Sequence, residues 1–328
     1  MLKSLAKELV RRFTSQSLEI DNFADSPYYD QNDLERWATD KARYLRMHYL
    51  EYPALVHMET VAVCNAACTF CPYTELDRKG TRMPDALIEK IIDDLTDIPR
   101  DLKFHLSPYK VSDPFLESRL FDILARVNEK LPNAGISLIT NGSALTERNI
   151  DQLTRVKNIT YLSVSLNFCD PVEYEEVMKL PLERTLARLE ILSRKHAEEK
   201  IDFPLRITRV SVSSEEDRVF LQWCKERYPA FRISILPRND WIGVIDVGNF
   251  ASQVPDVPCH RWFDLSITAT GVVAMCCMDS KAEYPKGDVN RQHVLEIYNQ
   301  PWLRNLREQL MSRRAAGGPC ERCTYLSY

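Results

Sequence analysis

Three cysteines fall within eight residues, Cys64-Asn65-Ala66-Ala67-Cys68-Thr69-Phe70-Cys71, spaced C-x3-C-x2-C. They follow an extended apolar segment, Val56 to Val63, which places their loop at the end of a strand. Three thiolates this close can hold three irons of a [4Fe–4S] cube, leaving the fourth iron open to a small molecule. An open metal position usually marks a catalytic site. Structural zinc loops favour paired C-x2-C units, which this loop lacks.

Strand and helix patterns alternate downstream. Six segments read as strands: Val56–Val63, Leu102–Ser107, Gly135–Asn141, Tyr161–Asn167, Leu205–Val212 and Arg232–Pro237. Helical periodicity fills the gaps at Pro84–Asp97, Phe115–Leu131, Thr146–Val156, Val172–His196 (interrupted at Pro181) and Ser214–Tyr228. This alternation predicts an α/β fold with a parallel sheet, and six units suit a partial (β/α)6 TIM barrel. Chemistry in such folds gathers at the C-terminal ends of strands, where the cysteine loop is expected. Residues 1–52 form a helical extension, with a helix over Asp33–Tyr49; 53–240 form the barrel; 241–328 form a small C-terminal α+β domain. That last part opens on a linker, Phe250–Pro258. A hairpin (Leu265–Thr268, Gly271, Val272–Met278) and a helix near Val294–Leu310 follow.

Composition narrows the function. The 43 Lys and Arg against 47 Asp and Glu give a net charge of −4, so no global basic field points to nucleic acid. No run of 18 apolar residues is long enough to span a membrane. Met1–Phe13 reads as a basic amphipathic helix without a secretory apolar region; its pattern suits packing on the main domain better than membrane-surface binding. The 10 cysteines have ligand-like spacings and no export signal, which fits a reducing cytoplasm.

Cys259, Cys276, Cys320 and Cys323 make a second set. Four thiols complete either a tetrahedral zinc site or a fully ligated [4Fe–4S] cluster, and spacing alone leaves both open. Cys276 and Cys277 are neighbours on a strand and point to opposite faces, so one of them ligates. Cys169 falls just past the fourth strand, either a thiol at the barrel mouth or a small buried residue. Cys224, on a helix, reads as core. Trp241-Ile242-Gly243, after the last strand, reads as a substrate cover or as plain packing. Neither G-x-G-x-x-G after a strand nor G-x4-G-K-[ST] occurs.

The C-x3-C-x2-C loop, with Phe70 before its third cysteine and a strand before it, resembles the radical S-adenosylmethionine (SAM) superfamily. The C-x11-G-x4-C layout from Cys259 through Gly271 to Cys276, followed by the terminal C-x2-C, resembles that family's twitch domain, the short relative of SPASM. The two resemblances cover roughly residues 53–328. They imply the partial barrel, a SAM-binding [4Fe–4S] cluster on Cys64, Cys68 and Cys71, and an auxiliary [4Fe–4S] cluster on Cys259, Cys276, Cys320 and Cys323. The Gly-x4-Cys count favours Cys276 over Cys277. The activity implied is cleavage of SAM to a 5′-deoxyadenosyl radical that takes hydrogen from a substrate, with electrons from a flavodoxin- or ferredoxin-type reductant. The family's Gly-Gly-Glu-Pro motif is replaced by a longer loop, Ser107 to Pro114, in which Asp113-Pro114 is the nearest match. Asp113 is thus expected either to bind the SAM ammonium or to cap the next helix. Lys110 is expected to reach an anionic substrate group or the SAM carboxylate. Phe70, Asn141, Ser165, Asn167 and Arg206 are expected to line the SAM site, Ser165 and Asn167 sharing one strand face. Cys169 is the candidate hydrogen donor if the reaction is an epimerisation. The single-cluster twitch layout is similar to that of aminocyclitol dehydrogenases and sugar-modifying enzymes. The first expectation is therefore oxidation or epimerisation of a small polar metabolite such as a sugar, aminocyclitol or nucleoside. The alternatives are peptide modification and, outside catalysis, an electron carrier or a zinc-stapled binding protein.

Overall fold

The computed structural model describes residues 31–248 and 253–326. The Met1–Phe13 helix candidate lies outside them. The first helix, α1 (Gln31–His48), docks on a 3₁₀ turn at His260–Phe263, with Trp37 edge-on to His260 at 5.5 Å between ring centroids.

Six parallel strands follow: β1 (Leu55–Met58), β2 (Phe104–Ser107), β3 (Ala134–Thr140), β4 (Ile159–Ser165), β5 (Leu205–Val210) and β6 (Arg232–Leu236). Between them run α2 (Asp85–Leu95), α3 (Leu120–Lys130), α4 (Glu147–Leu153), α5 (Pro171–Met178), α6 (Leu182–Ala197) and α7 (Ser214–Arg227). Their starts are encoded locally. Thr146 and Asn149 form a capping box on α4, Asp170 accepts from Val172 N and Glu173 N ahead of Pro171, and Ser213 caps α7. Helix α2 buries Leu87, Ile88, Ile91, Ile92 and Leu95 at helical spacing.

The two faces of the sheet differ in chemistry. Val56, Met58, Leu106, Ile136, Leu138, Leu162, Val164 and Ile207 pack under the helices, none more than 1% exposed. Burial of such a layer drives the fold at roughly 25 cal/mol per Å² of apolar surface. The alternate positions form the inner face and are largely polar. The register aligns His57 with Ser107, Ser163 with Arg206, and Ser165 with Thr208 and then Ser234. A half-open polar inner wall on a dry outer layer is the partial barrel expected from the alternation.

The C-terminal part extends the same sheet. Strand β7 (Asp264–Ile267) lies parallel beside β1, and β8 (Val272–Ala274) and β9 (Gly287–Asp288) continue antiparallel, giving the order β6-β5-β4-β3-β2-β1-β7-β8-β9. Gly271 makes the β7–β8 turn at φ +89°, and a Cβ there would sit 2.2 Å from Asn290 Nδ2. The single helix expected at Val294–Leu310 is two, α8 (Val294–Tyr298) and α9 (Pro301–Gln309). Pro301 cannot donate to a preceding turn and keeps Gln300 extended. A short α10 (Arg313–Ala316) leads to the last cysteines.

Candidate active site

β1 stops at Met58, five residues earlier than its apolar run suggests. Glu59 N still donates to Ile267 O of β7 at 3.0 Å, but Thr60 to Ala62 leave the sheet and pair instead with the chain near Thr81: Ala62 N donates to Thr81 O at 2.8 Å and Met83 N to Thr60 O at 2.9 Å. The cysteine loop then rests on the end of α5, where Ala67 N and Thr69 N donate to Met178 O and Val177 O. Cys64, Cys68 and Cys71 are all partly buried. Burial pushes the Cys64 thiol up to about 12 and Cys71 up to about 11; it also raises Cys68, which Cys64 and Cys71 raise further. Thiols held protonated in this way become ligands when a metal displaces the protons. Ala66 N, at 3.5 Å, and Asn141 Nδ2, at 3.8 Å, both donate to Cys64 Sγ. Donors aimed at sulfur are one of the levers that tune a cluster.

The strand ends converge on this loop unevenly. Asn141 sits beside Cys64: its Nδ2 also donates to Asn65 Oδ1 at 2.9 Å, and its Oδ1 accepts from Ser143. Asp113 is 2% exposed. Its Oδ1 accepts from Phe115 N at 3.0 Å, and its Oδ2 from Thr140 Oγ1 at 2.8 Å and Asn141 N at 3.0 Å. Burial raises its carboxyl despite these donors. The structure thus gives Asp113 the capping role and a second role, bracing the end of β3; neither oxygen faces an open site. Asn167 differs from expectation in conformation. It leaves the strand at φ +64°, is fully buried, and bridges Ser165 Oγ and Val210 N at 2.9 and 2.8 Å. It therefore does not share a strand face with Ser165, and its amide joins β4 to β5. Arg206 lies on the inner face, its guanidinium stacked 4.1 Å over the Tyr161 ring.

Lys110 also points elsewhere than expected. The Lys110 ammonium donates to Asp279 O at 2.6 Å and Cys277 O at 3.3 Å, pinning the loop after the second-set hairpin. Cys169 is raised by its burial, and the charges acting on it are Arg209, Glu173 and Asp170, none in the cysteine loop. Cys224 is fully buried. Phe70 offers its carbonyl to Trp241 Nε1 at 3.1 Å. Trp241 and Ile242 adopt φ +51° and +60°, a left-handed conformation unfavourable for such side chains. Ile242 reaches from there to the second cysteine set.

Cys259, Cys276, Cys320 and Cys323 line one cavity, closed by Ile242 and Arg261 among others. Cys276 lines it and Cys277 does not. Both lie in the turn after β8, which ends at Ala274, and not on the strand expected for them, so strand alternation does not decide between them. Burial raises Cys276, Cys320 and Cys323, the last two to about 11 and 12, with neighbouring thiols adding to each. The thiols ring the cavity rather than meet at a point. Among the described residues no three His, Cys, Asp or Glu side chains are gathered closely enough for a single ion. A tetrahedral zinc, with Zn–S near 2.3 Å, needs that convergence; a cube with sulfurs at its corners does not.

Comparison with known proteins decides the family. Residues 58–208 match the radical SAM superfamily, and residues 259–324 match an iron–sulfur cluster-binding domain of the SPASM type. The chain is a radical SAM enzyme. Both cysteine sets fall within the matched domains, so the radical SAM chain uses SAM, a [4Fe–4S] cluster and auxiliary iron–sulfur chemistry of the oxidoreductase kind. It is 22% identical to the S-adenosyl-L-methionine-dependent 2-deoxy-scyllo-inosamine dehydrogenase of Niallia circulans, over 84% of this chain and 94% of the relative. Its fold is similar to that of BtrN in complex with AdoMet and 2-DOIA (TM-score 0.59, 17% identity, 84% of this chain and 94% of that one). It is also similar to Streptococcus suis SuiB bound to precursor peptide SuiA (TM-score 0.62, 14% identity, 98% and 85%). Among the described residues no helix is long and apolar enough to cross a membrane.

One residue that joins the two radical SAM modules escaped the sequence reading. Glu59, fully buried, accepts from Arg78 Nε at 2.6 Å and Nη2 at 3.0 Å, from Val111 N at 3.2 Å and from Ala269 N at 3.0 Å. Arg78 Nη1 continues to Ser280 O at 2.6 Å. One carboxylate thus ties β1, the β2 loop and the β7–β8 turn. The available signal was an acidic residue inside an apolar run.

Proposed function

We propose that this enzyme oxidises a small polar metabolite, of the sugar or aminocyclitol class. The observation that carries the reading is the inner face of the sheet. It presents His57, Ser107, Ser163, Ser165, Arg206 and Thr208 where an apolar barrel would present aliphatic side chains. Such a wall binds hydroxyls through paired donors and acceptors. Similarity to a dehydrogenase acting on an aminocyclitol, along most of both chains, supports the same class.

In this reading Cys64, Cys68 and Cys71 hold the SAM-binding cluster, and Cys259, Cys276, Cys320 and Cys323 hold one auxiliary cluster. When bound, the first cluster and SAM supply hydrogen abstraction, and the second accepts an electron. The protein contributes positioning. Asn141 and the Ala66 N–H donate to the Cys64 sulfur, Lys110 and Arg78 fix the Cys276 loop, and the Trp241–Phe70 bond ties the segment after β6 to the cysteine loop. Asn141, Ser165 and Arg206 remain SAM- or substrate-contact candidates; a flavodoxin- or ferredoxin-type protein is the proposed reductant and the cytoplasm the proposed compartment. Oxidation is favoured over epimerisation because an auxiliary cluster provides an electron acceptor without a further hydrogen donor.

The test is deuterium transfer. Anaerobically reconstituted enzyme is given SAM, reductant and C-deuterated aminocyclitols or sugars. Deuterium in 5′-deoxyadenosine together with a ketone product supports the reading. A second reading, peptide modification, is favoured by the likeness to SuiB along 98% of this chain. Deuterium transfer from a labelled peptide, and from no polyol, would replace the first reading with it.

A further inference from the structure

A buried polar group on the seam between β1 and β7 has no use in the account so far. His57 on β1 stands in register with Ser107 on one side and Ser266 on the other, so all three side chains share the inner face. Val56 and Met58, which flank it, are fully buried on the opposite face. Both ring nitrogens of His57 and the Ser266 hydroxyl are buried and meet no hydrogen-bond partner of ordinary geometry; the Tyr109 main chain is a weaker polar neighbour of the ring. Tyr109 stands edge-on to the imidazole at 6.4 Å between centroids. Arg261, whose Nε is buried without a partner while its other two nitrogens donate to Asp264 Oδ2 and Tyr325 Oη, acts electrostatically on His57 and lines the cavity of the second cysteine set.

Buried polar groups are normally paired, and leaving one unpaired costs about 1–3 kcal/mol. Two unpaired side chains, His57 and Ser266, side by side on one seam therefore mark a place where something else supplies the partners. The seam lies between the strand that leads to Cys64 and the hairpin that carries Cys276. Its chemistry selects the ligand. A neutral imidazole offers one N–H donor and one nitrogen acceptor, and a serine hydroxyl offers both. The charges acting on His57, Arg261 and Lys110, are positive, so an ammonium group is disfavoured. Burial and those cations depress the imidazole to about 3, which keeps it neutral at physiological pH. A group that donates and accepts without charge is an alcohol.

We propose that His57 and Ser266 form a substrate-binding subsite that takes a hydroxyl of a polyol. The site rests on the small-metabolite reading and deepens it: it points the hydroxyl-bearing edge of the ring at the β1/β7 seam and turns any amino group away. An ordered water filling the same gap is the competing occupant.

Equilibrium binding to the anaerobic holoenzyme with SAM tests this, with 2-deoxy-scyllo-inosamine and scyllo-inositol as probes. His57→Phe keeps a ring and removes both nitrogens; His57→Asn keeps one donor and one acceptor. The expected result is binding at least 10-fold weaker in His57→Phe, 3-fold or more weaker in Ser266→Ala, and partial recovery in His57→Asn. These are the losses that a missing hydrogen bond of about 0.5–1.5 kcal/mol produces. In ¹⁵N-histidine spectra, the polyols should shift the His57 resonances of the wild-type protein. Unchanged affinity in folded His57→Phe and Ser266→Ala, with no shift in His57, leaves a water-filled gap and overturns the subsite while the proposed function stands. If neither polyol binds the wild-type enzyme and a peptide does, the small-metabolite reading falls and the subsite with it.

Discussion

Glu59→Ala is the sharpest test of how the two modules are held together. The substitution strands the Arg78 guanidinium, whose side chain is 8% exposed against 0% for Glu59. It also removes the acceptor from Val111 N and Ala269 N, bonded at 3.2 and 3.0 Å. Breaking a buried ion pair by removing one partner costs about 3–5 kcal/mol. Each stranded buried N–H adds about 1–3 kcal/mol, but groups sharing one site do not add fully. The expected loss is therefore about 4–6 kcal/mol, a large part of the roughly 5–15 kcal/mol that holds a protein folded. Urea unfolding of anaerobic protein, followed by circular dichroism, measures it. Glu59→Leu with Arg78→Met removes both charges and leaves the two amides and the Ser280 carbonyl without these partners but no stranded buried charge, so the double variant should lose less than Glu59→Ala alone. A loss under about 1 kcal/mol in Glu59→Ala, or a double variant as unstable as the sum of the single ones, would refute the reasoning.

Further outcomes follow from the same geometry. Ala at Cys64, Cys68 and Cys71 together should abolish 5′-deoxyadenosine formation and leave about four irons and four sulfides on the second set; zinc without iron there would make that set a staple. Asp113→Ala should destabilise the fold by about 1–3 kcal/mol, by unpairing Asn141 N and Thr140, and change SAM affinity less than stability; SAM binding lost with stability intact would restore the ammonium contact. Cys169→Ala should leave turnover nearly intact, and Cys169-dependent deuterium from solvent at a substrate carbon would show epimerisation instead. His57 carries an acid-sensitivity. The unfolded chain protonates it near pH 6.5 and the folded chain only near 3, so its contribution is complete above about 6.5 and is lost at about 1.4 kcal/mol per pH unit below that. His57→Phe should flatten the dependence of urea stability on pH between about 6.5 and 4; an unchanged slope would mean the imidazole is not held neutral.

The barrel was legible because its signals are local. Period-two strands, helix caps at Thr146, Asp170 and Ser213, and prolines at 171 and 181 set most element ends within a few residues. Both cysteine sets stood out because cluster ligands recur at fixed spacings; Cys276 rather than Cys277 lines the cavity from the turn after β8, where strand alternation does not apply. What the sequence did not show came from partners far along the chain. β1 ends early because residues near Thr81 compete for the Thr60–Ala62 backbone. Asp113 turns inward because Thr140 and Asn141 offer it donors, and Lys110 is drawn off by carbonyls at 277 and 279. Asn167 departs from the strand face because Val210 N needs an acceptor. No window around any of these residues contains the group that decides its role. Glu59 and His57 were passed over for a related reason, since inside an apolar run each reads as a blemish until the neighbouring strands are known.

The measurement that bears most directly on the central claim is stoichiometry. Anaerobic enzyme with both clusters reconstituted is given SAM, reductant and a polyol substrate, and 5′-deoxyadenosine and oxidised polyol are counted over many turnovers. The account predicts one ketone product per 5′-deoxyadenosine, with SAM cleavage much slower when the polyol is withheld. SAM cleavage indifferent to any polyol, with no oxidised product, would contradict it.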